Sequence, residues 1–276
     1  MRIVGRLLLP FLLLLSYADA QNVAQHARLT LISEYADLKP GENWIGLRFQ
    51  IDPGWHIYWM NPGDSGEPPR ASWHLPSGFQ AGELQFPTPT RIHDHSLIDY
   101  GYENGAVLLS KLTVPPNASG SVDLSADVRW LVCREVCIPG RGSVVLKLPL
   151  SGSNAPSSDA GLMRAAESQL ARDLPRGVVL SGKSTGDQFV LQVASKTRQF
   201  GVVKDFFPLD PGQLENTAMP KIKTGKDMVE ITVKRSEQLS RPLQSLRGIL
   251  VVDGRAYRAS FPISSAAHSG SRASSQ

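Results

Sequence analysis

Cys133 and Cys137 are the only cysteines in the 276-residue chain, three residues apart in "WLVCREVCIPG". Three chemistries suit such a pair: a structural brace, a metal clip, or thiol–disulfide exchange. A brace closing so short a loop stabilises by only roughly 2 kcal/mol, and a chain of this length has core enough without it. A metal clip needs histidines from elsewhere, because two thiolates leave a tetrahedral site incomplete. Exchange requires only that the sulfurs meet. With Arg134-Glu135-Val136 as a hairpin loop, the cysteines face each other across a ladder at Cα separations of ~4.5–5.5 Å. One helical turn, stopped by Pro139 and Gly140, would also bring them together, at ~5–6 Å. Arg134 favours a thiolate at Cys133, whereas Glu135 opposes it.

The next stretch with chemical content is "DPGWHIYWMNPGDSGEPP", Asp52 to Pro69. Read as a strand, it puts Trp55, Ile57 and Trp59 on one face and His56, Tyr58 and Met60 on the other. The aromatic face reads as core. His56 and Tyr58 are the candidates to hydrogen-bond a thiolate or move a proton. "NPGDSGEPP" reads as a rigid loop shaping a surface groove. In "RIHDHSLIDYGYENG", His93 and His95 share a strand face and could ligate a metal, although a polar loop is the plainer reading. Soft Cu(I) would suit Cys133 and Cys137 with His56 or Met60, and this copper-binding module is kept as an alternative to exchange, as is a structural β-sandwich protein with an inert disulfide. No phosphate loop, Gly-x-Ser-x-Gly elbow or zincin motif is present. The net charge of +4 comes from scattered residues, which argues against a nucleic-acid partner.

The elements that must position these residues read as strands. Along "SVDLSADVRWLVC", Val122, Leu124, Ala126, Val128, Trp130 and Val132 form a core face, with Cys133 in the opposite register. Alternation recurs in "NWIGLRFQI", "SVVLKLPL", "QFVLQV", "MVEITVKR" and "AYRASFPI", punctuated by Gly/Pro turns. The fold expected is all-β: two immunoglobulin-like sandwiches joined by a linker with a short helix. Residues 1–20 read as a signal peptide cut before Gln21, and no later run is long enough to span a membrane. The first sandwich is expected over 27–150 and the linker over 151–175, its helix ended by Pro175. The second sandwich follows over 176–264, then a disordered tail over 265–276.

"PGWHIYWMNPGDSGEPP", "DYGYENGAVLL" and "VRWLVCREVCIPG", in that order, resemble the N-terminal periplasmic domain of the DsbD family, and more closely its ScsB-type branch. "DFFPLDPGQLEN" and "GILVVDGRAYRASFPI" are similar to the further β domain of that branch. The resemblance implies an immunoglobulin-like fold and a periplasmic location. It makes Cys133 and Cys137 the exchanging pair, with Cys137 the expected attacker. His56 and Tyr58 then match the tyrosines near the family's cysteines. Asp99-Tyr100-Gly101 falls where the family has a loop capping the disulfide, with Asp99 in place of the capping phenylalanine. The cysteine spacing is three residues here instead of five. Implied partners are thioredoxin-like or disulfide-isomerase-like periplasmic proteins, with no cofactor. The membrane and thioredoxin-like domains that usually follow are not in this sequence, so a separate membrane electron donor is expected.

Overall fold

The computed structural model describes residues 25–195 and 201–265; the expected signal peptide and nearly all of the expected tail lie outside them. The first ten strands are β1 (Ala27–Ser33), β2 (Gly41–Ile51), β3 (His56–Gly63), β4 (Arg70–His74), β5 (Gln80–Ala81), β6 (Thr90–Asp94), β7 (Leu97–Glu103), β8 (Gly105–Val114), β9 (Ser121–Cys133) and β10 (Cys137–Pro149). They form two facing sheets. One runs β1-β2-β8-β5; the other runs β10-β9-β3-β7-β6, with β4 also paired to β9. The alternation in β2 and β9 explains the sandwich. Ile45, Leu47 and Phe49 meet Leu124, Ala126, Val128 and Trp130 in one buried cluster, and this apolar burial is the main source of stability.

The helix α1 (Ala160–Ser168) covers the outer face of the four-stranded sheet, burying Met163 and Ala166 against Ile32, Val107 and Leu109. It stops well before Pro175. The reason is a competing backbone demand: Arg172 donates its N–H to Ala256 and accepts from Arg258, so the chain is drawn out to pair with a later strand. The "SGSNAPSSDAG" segment is also tied down. Ser151 and Ser153 donate to the Asp37 carboxylate, and Pro156 bridges Tyr35.

The remaining strands are β11 (Val178–Thr185), β12 (Gln188–Ser195), β13 (Val203–Pro208), β14 (Lys221–Thr224), β15 (Met228–Lys234), β16 (Ser245–Val252) and β17 (Arg255–Ser265). They form a single path, β13-β16-β17-β11-β12-β15-β14. The long β17 pairs with β16 through Pro262 and then, in parallel, with β11 from Ile263 onward. One sheet thus folds over itself around Phe189, Leu191, Phe206, Ile231, Leu250 and Phe261. The opposite face of β13 and its neighbours turns to the first sandwich. Phe207, Ile249 and Ala256 belong to the same buried cluster as Trp59 and Tyr100.

Candidate functional site

Cys133 ends β9 and Cys137 begins β10, directly opposite each other, joined as a disulfide with Cα atoms 4.1 Å apart. The hairpin reading therefore holds, closed by the Arg134 N–H donating to the Val136 carbonyl at 3.2 Å. The two ends of the bond differ. Cys133 is 1% exposed, while Cys137 lies open to solvent. The outward register of Cys133 does not expose it, because β3 crosses alongside: His56 is its cross-strand partner.

β3 divides its residues as its alternation requires. Trp55, Ile57 and Trp59 enter the core, and His56 and Tyr58 are buried on the cysteine side. Met60 is 45% exposed. The Tyr58 hydroxyl lies 3.5 Å from Cys137 Sγ and 3.3 Å from Ser65 Oγ. Ser65 Oγ in turn donates to Asp99 Oδ2, and Ser65 N–H donates to Asp99 Oδ1, both at 2.9 Å. With the Ser65 hydrogen committed to the carboxylate and none on a disulfide sulfur, the single Tyr58 hydroxyl hydrogen serves both contacts and is shared between Ser65 Oγ and Cys137 Sγ. Burial, the largest influence, pushes the Tyr58 phenol up to about 12, with the charges of Asp99 and Asp94 adding to it and the Ser65 contact opposing it. It therefore keeps its proton wherever thiols exchange. His56 Nε2 is buried without a hydrogen bond and sits 3.7 Å from Asp99 Oδ2.

What covers this polar cluster is the end of β3 and the loop after it. β3 leaves its register with β7 between Tyr58 and Gly63. The chain then crosses back, and Gly66 lies flat over the Tyr58 ring. A Cβ there would come within 2.1 Å of Tyr58 Cζ, and φ is +76°, so only glycine fits. The loop is pinned from the second unit. Asn61 Nδ2 donates to the Pro208 carbonyl at 2.8 Å, and Asn216 Nδ2 donates to Asp64 Oδ1 at 2.7 Å.

The sequence model of the family described as thiol:disulfide interchange protein DsbD, N-terminal, matches residues 28–149. Residues 28–149 are a DsbD N-terminal-like domain. The N-terminal periplasmic domain of ScsB from Proteus mirabilis is 18% identical and superposes with a TM-score of 0.61, covering 87% of this chain and 94% of that one. Titin Ig tandem domains are 12% identical with a TM-score of 0.22, over 87% of this chain and 97% of that one. No curated protein matches the chain.

Within this DsbD N-terminal-like domain, the site residues expected from sequence separate into two groups. Cys133, Cys137, His56, Tyr58 and Asp99 come together. Tyr100 does not: it faces the core side, where its hydroxyl donates to Asn216 Oδ1 at 2.8 Å and accepts from Arg91 at 3.2 Å. The expected capping loop at Asp99-Tyr100-Gly101 is instead the middle of strand β7, paired on both edges. The physical reason is that the residues after β3 supply the cover, which frees β7 to complete the sheet. Sequence reading passed over Ser65, Asn61, Asp64 and Asn216. Only the "GDSG" turn hinted at a loop able to cross an aromatic ring. His93 and His95 are exposed, with His95 hydrogen-bonded to Asp94. Among the described residues, no group of three or more His, Cys, Asp or Glu is arranged to hold a metal ion, and no helix is long and apolar enough to cross a membrane.

Proposed function

We propose that the chain is a periplasmic thiol:disulfide interchange protein that passes reducing equivalents through Cys133 and Cys137. The observation that carries this reading is the asymmetry of the bond: an open Cys137 tied to a sealed Cys133. A partner thiolate can approach only Cys137 Sγ. Attack there forms the intermolecular disulfide and expels Cys133 as the thiolate. A second partner thiolate then attacks its own mixed sulfur and frees Cys137, leaving partner oxidised and Cys133/Cys137 reduced by two electrons. In the opposite direction Cys137 thiolate attacks the partner disulfide and Cys133 resolves the adduct. Tyr58 donates to the Cys137 thiolate. His56, beside Cys133 and near Asp99, is placed to give the leaving thiolate its proton. The electron pair is held by the two sulfurs, so the reading needs no cofactor. The partners are thioredoxin-like or disulfide-isomerase-like thiol proteins, with a membrane protein as the electron source.

The test is the reduction potential, read by equilibration with glutathione and trapping of free thiols. A value between about −180 and −270 mV is expected; one far below about −300 mV marks an inert structural bond and overturns the reading. Cys133→Ser should accumulate a mixed disulfide at Cys137, and Cys137→Ser should not.

A further inference from the structure

The outer face of the cysteine hairpin continues as an ordered ladder. Beyond the Cys133/Cys137 pair come Leu131 and Pro139, directly opposite each other. Two residues further on, Arg141 stands opposite Arg129, and Arg129 stands opposite Arg70 on its other side. Three guanidinium side chains therefore rise from neighbouring strands at one level, with strands about 4.8 Å apart. Like charges directly opposite across a sheet destabilise it. Elsewhere the protein relieves such charges: Arg48, Arg91, Arg247 and Arg258 each hold an aspartate. Arg70, Arg129 and Arg141 are exposed and make no ion pair or side-chain hydrogen bond among the described residues.

Two acids in the neighbourhood form no ion pair with them. Asp127, one step along the ladder, has its oxygens taken by Ser143 and His74. Glu67 lines the same cleft of about 240 Å³ as the three arginines but forms no ion pair with them. The arginines lie four residues from the cysteines along each strand, a distance of about 13 Å at ordinary strand rise. Between them the Leu131 and Pro139 step gives a short apolar bridge.

We propose that Arg70, Arg129 and Arg141 form a docking platform for an acidic stretch of the thiol protein that exchanges with Cys137. The inference rests on the exchange reading and specifies its partner: carboxylates on the partner's surface about 13 Å from its reactive sulfur. Guanidinium forks suit carboxylates in paired geometry. Positive charge free of ion pairs, about 13 Å from the reactive sulfur, also raises the encounter rate of an acidic partner.

The experiment uses the reduced full chain and synthetic peptides, each carrying one cysteine capped as a mixed disulfide with neutral 2-thiopyridine. One peptide bears a run of glutamates several residues from the cysteine, and the other bears glutamines there. Release of 2-thiopyridone reports attack by the protein. The glutamate peptide should react roughly tenfold faster at low salt, with the advantage fading as the screening length shrinks from ~30 Å to ~8 Å. In Arg129→Gln/Arg141→Gln the ratio of the two rates should fall toward one. In Arg176→Gln/Lys183→Gln, which removes the same charge from the second unit, the ratio should persist. Equal rates in the unaltered protein, or a preference that survives Arg129→Gln/Arg141→Gln, would sink the docking platform alone. An advantage erased by inorganic phosphate but not by chloride at matched ionic strength would assign the arginines to a small oxyanion and overturn the protein partner. Release from neither peptide would instead defeat the exchange reading, a separate failure.

Discussion

Asn216, in the second unit, donates to Asp64 at 2.7 Å, one residue before the Ser65 that braces Asp99 behind the cysteine pair. The same amide accepts from Tyr100. The cover over Tyr58 is therefore held from outside the sandwich that owns the cysteines. Asn216→Ala leaves Asp64 Oδ1 and the Tyr100 hydroxyl short of a partner, at a cost of about 1–3 kcal/mol. We expect a lower denaturation midpoint and faster reduction of the disulfide by dithiothreitol. An unchanged reduction rate would show that the loop keeps its place without the second unit.

Gly66→Ala tests the same cover from the loop side. Its new methyl meets the Tyr58 ring, in a backbone conformation that disfavours alanine. The loop must lift, so hydrogen exchange at the Ser65 amide should quicken together with disulfide reduction. Retained protection of that amide would count against the loop as the seal.

Tyr58→Phe removes the hydroxyl that lies 3.5 Å from Cys137 Sγ. A thiolate deprived of that donor is less stable, so alkylation of the reduced Cys137 should require a more alkaline pH. The rate of iodoacetamide alkylation against pH, measured on the reduced protein, reads this directly. A superimposable profile would remove Tyr58 from the exchange step.

Alkaline pH should loosen the fold. Burial, first among the causes, raises the phenols of Tyr58 and Tyr100 to about 12. The folded state therefore holds protons that the unfolded chain has released. The stability they contribute is complete below the ordinary tyrosine value of about 10 and is lost as pH climbs from there toward about 12. Denaturant unfolding of the oxidised protein across that window should show the midpoint falling, with phenolate absorbance at Tyr58 and Tyr100 appearing late.

Arg91 reaches from β6 to Asp205 with paired contacts at 2.9 and 3.1 Å, in a largely buried position. Asp205→Ala should cost about 3 kcal/mol, because it strands the guanidinium. Arg91→Met/Asp205→Leu should recover much of that loss in thermal unfolding. A small cost for the single change would mean that Arg91 finds water instead.

The strand leading to the cysteines was legible in the sequence because β9 alternates from Ser121 to Val132, whereas a hairpin and a helical turn both stayed open between Cys133 and Cys137. The core face of β3 was legible for the same reason. The burial of Cys133 was not: alternation assigns a face, but the cover on that face comes from residues far along the chain. Tyr100 was misplaced because a family position carries no information about which sheet face it occupies. The three arginines were invisible as a group, since Arg70 meets Arg129 only through the pairing of β4 with β9.

Phe207 lies edge-on to both Trp59 and Tyr100, with ring centroids 6.2 and 5.4 Å away. Its burial is shared property, so the two halves should melt in a single calorimetric transition. A fragment cut at the expected boundary near residue 150 would expose an indole and a phenol that the whole chain keeps dry. Such a fragment would be prone to self-association, and its thiol chemistry would be that of a different object.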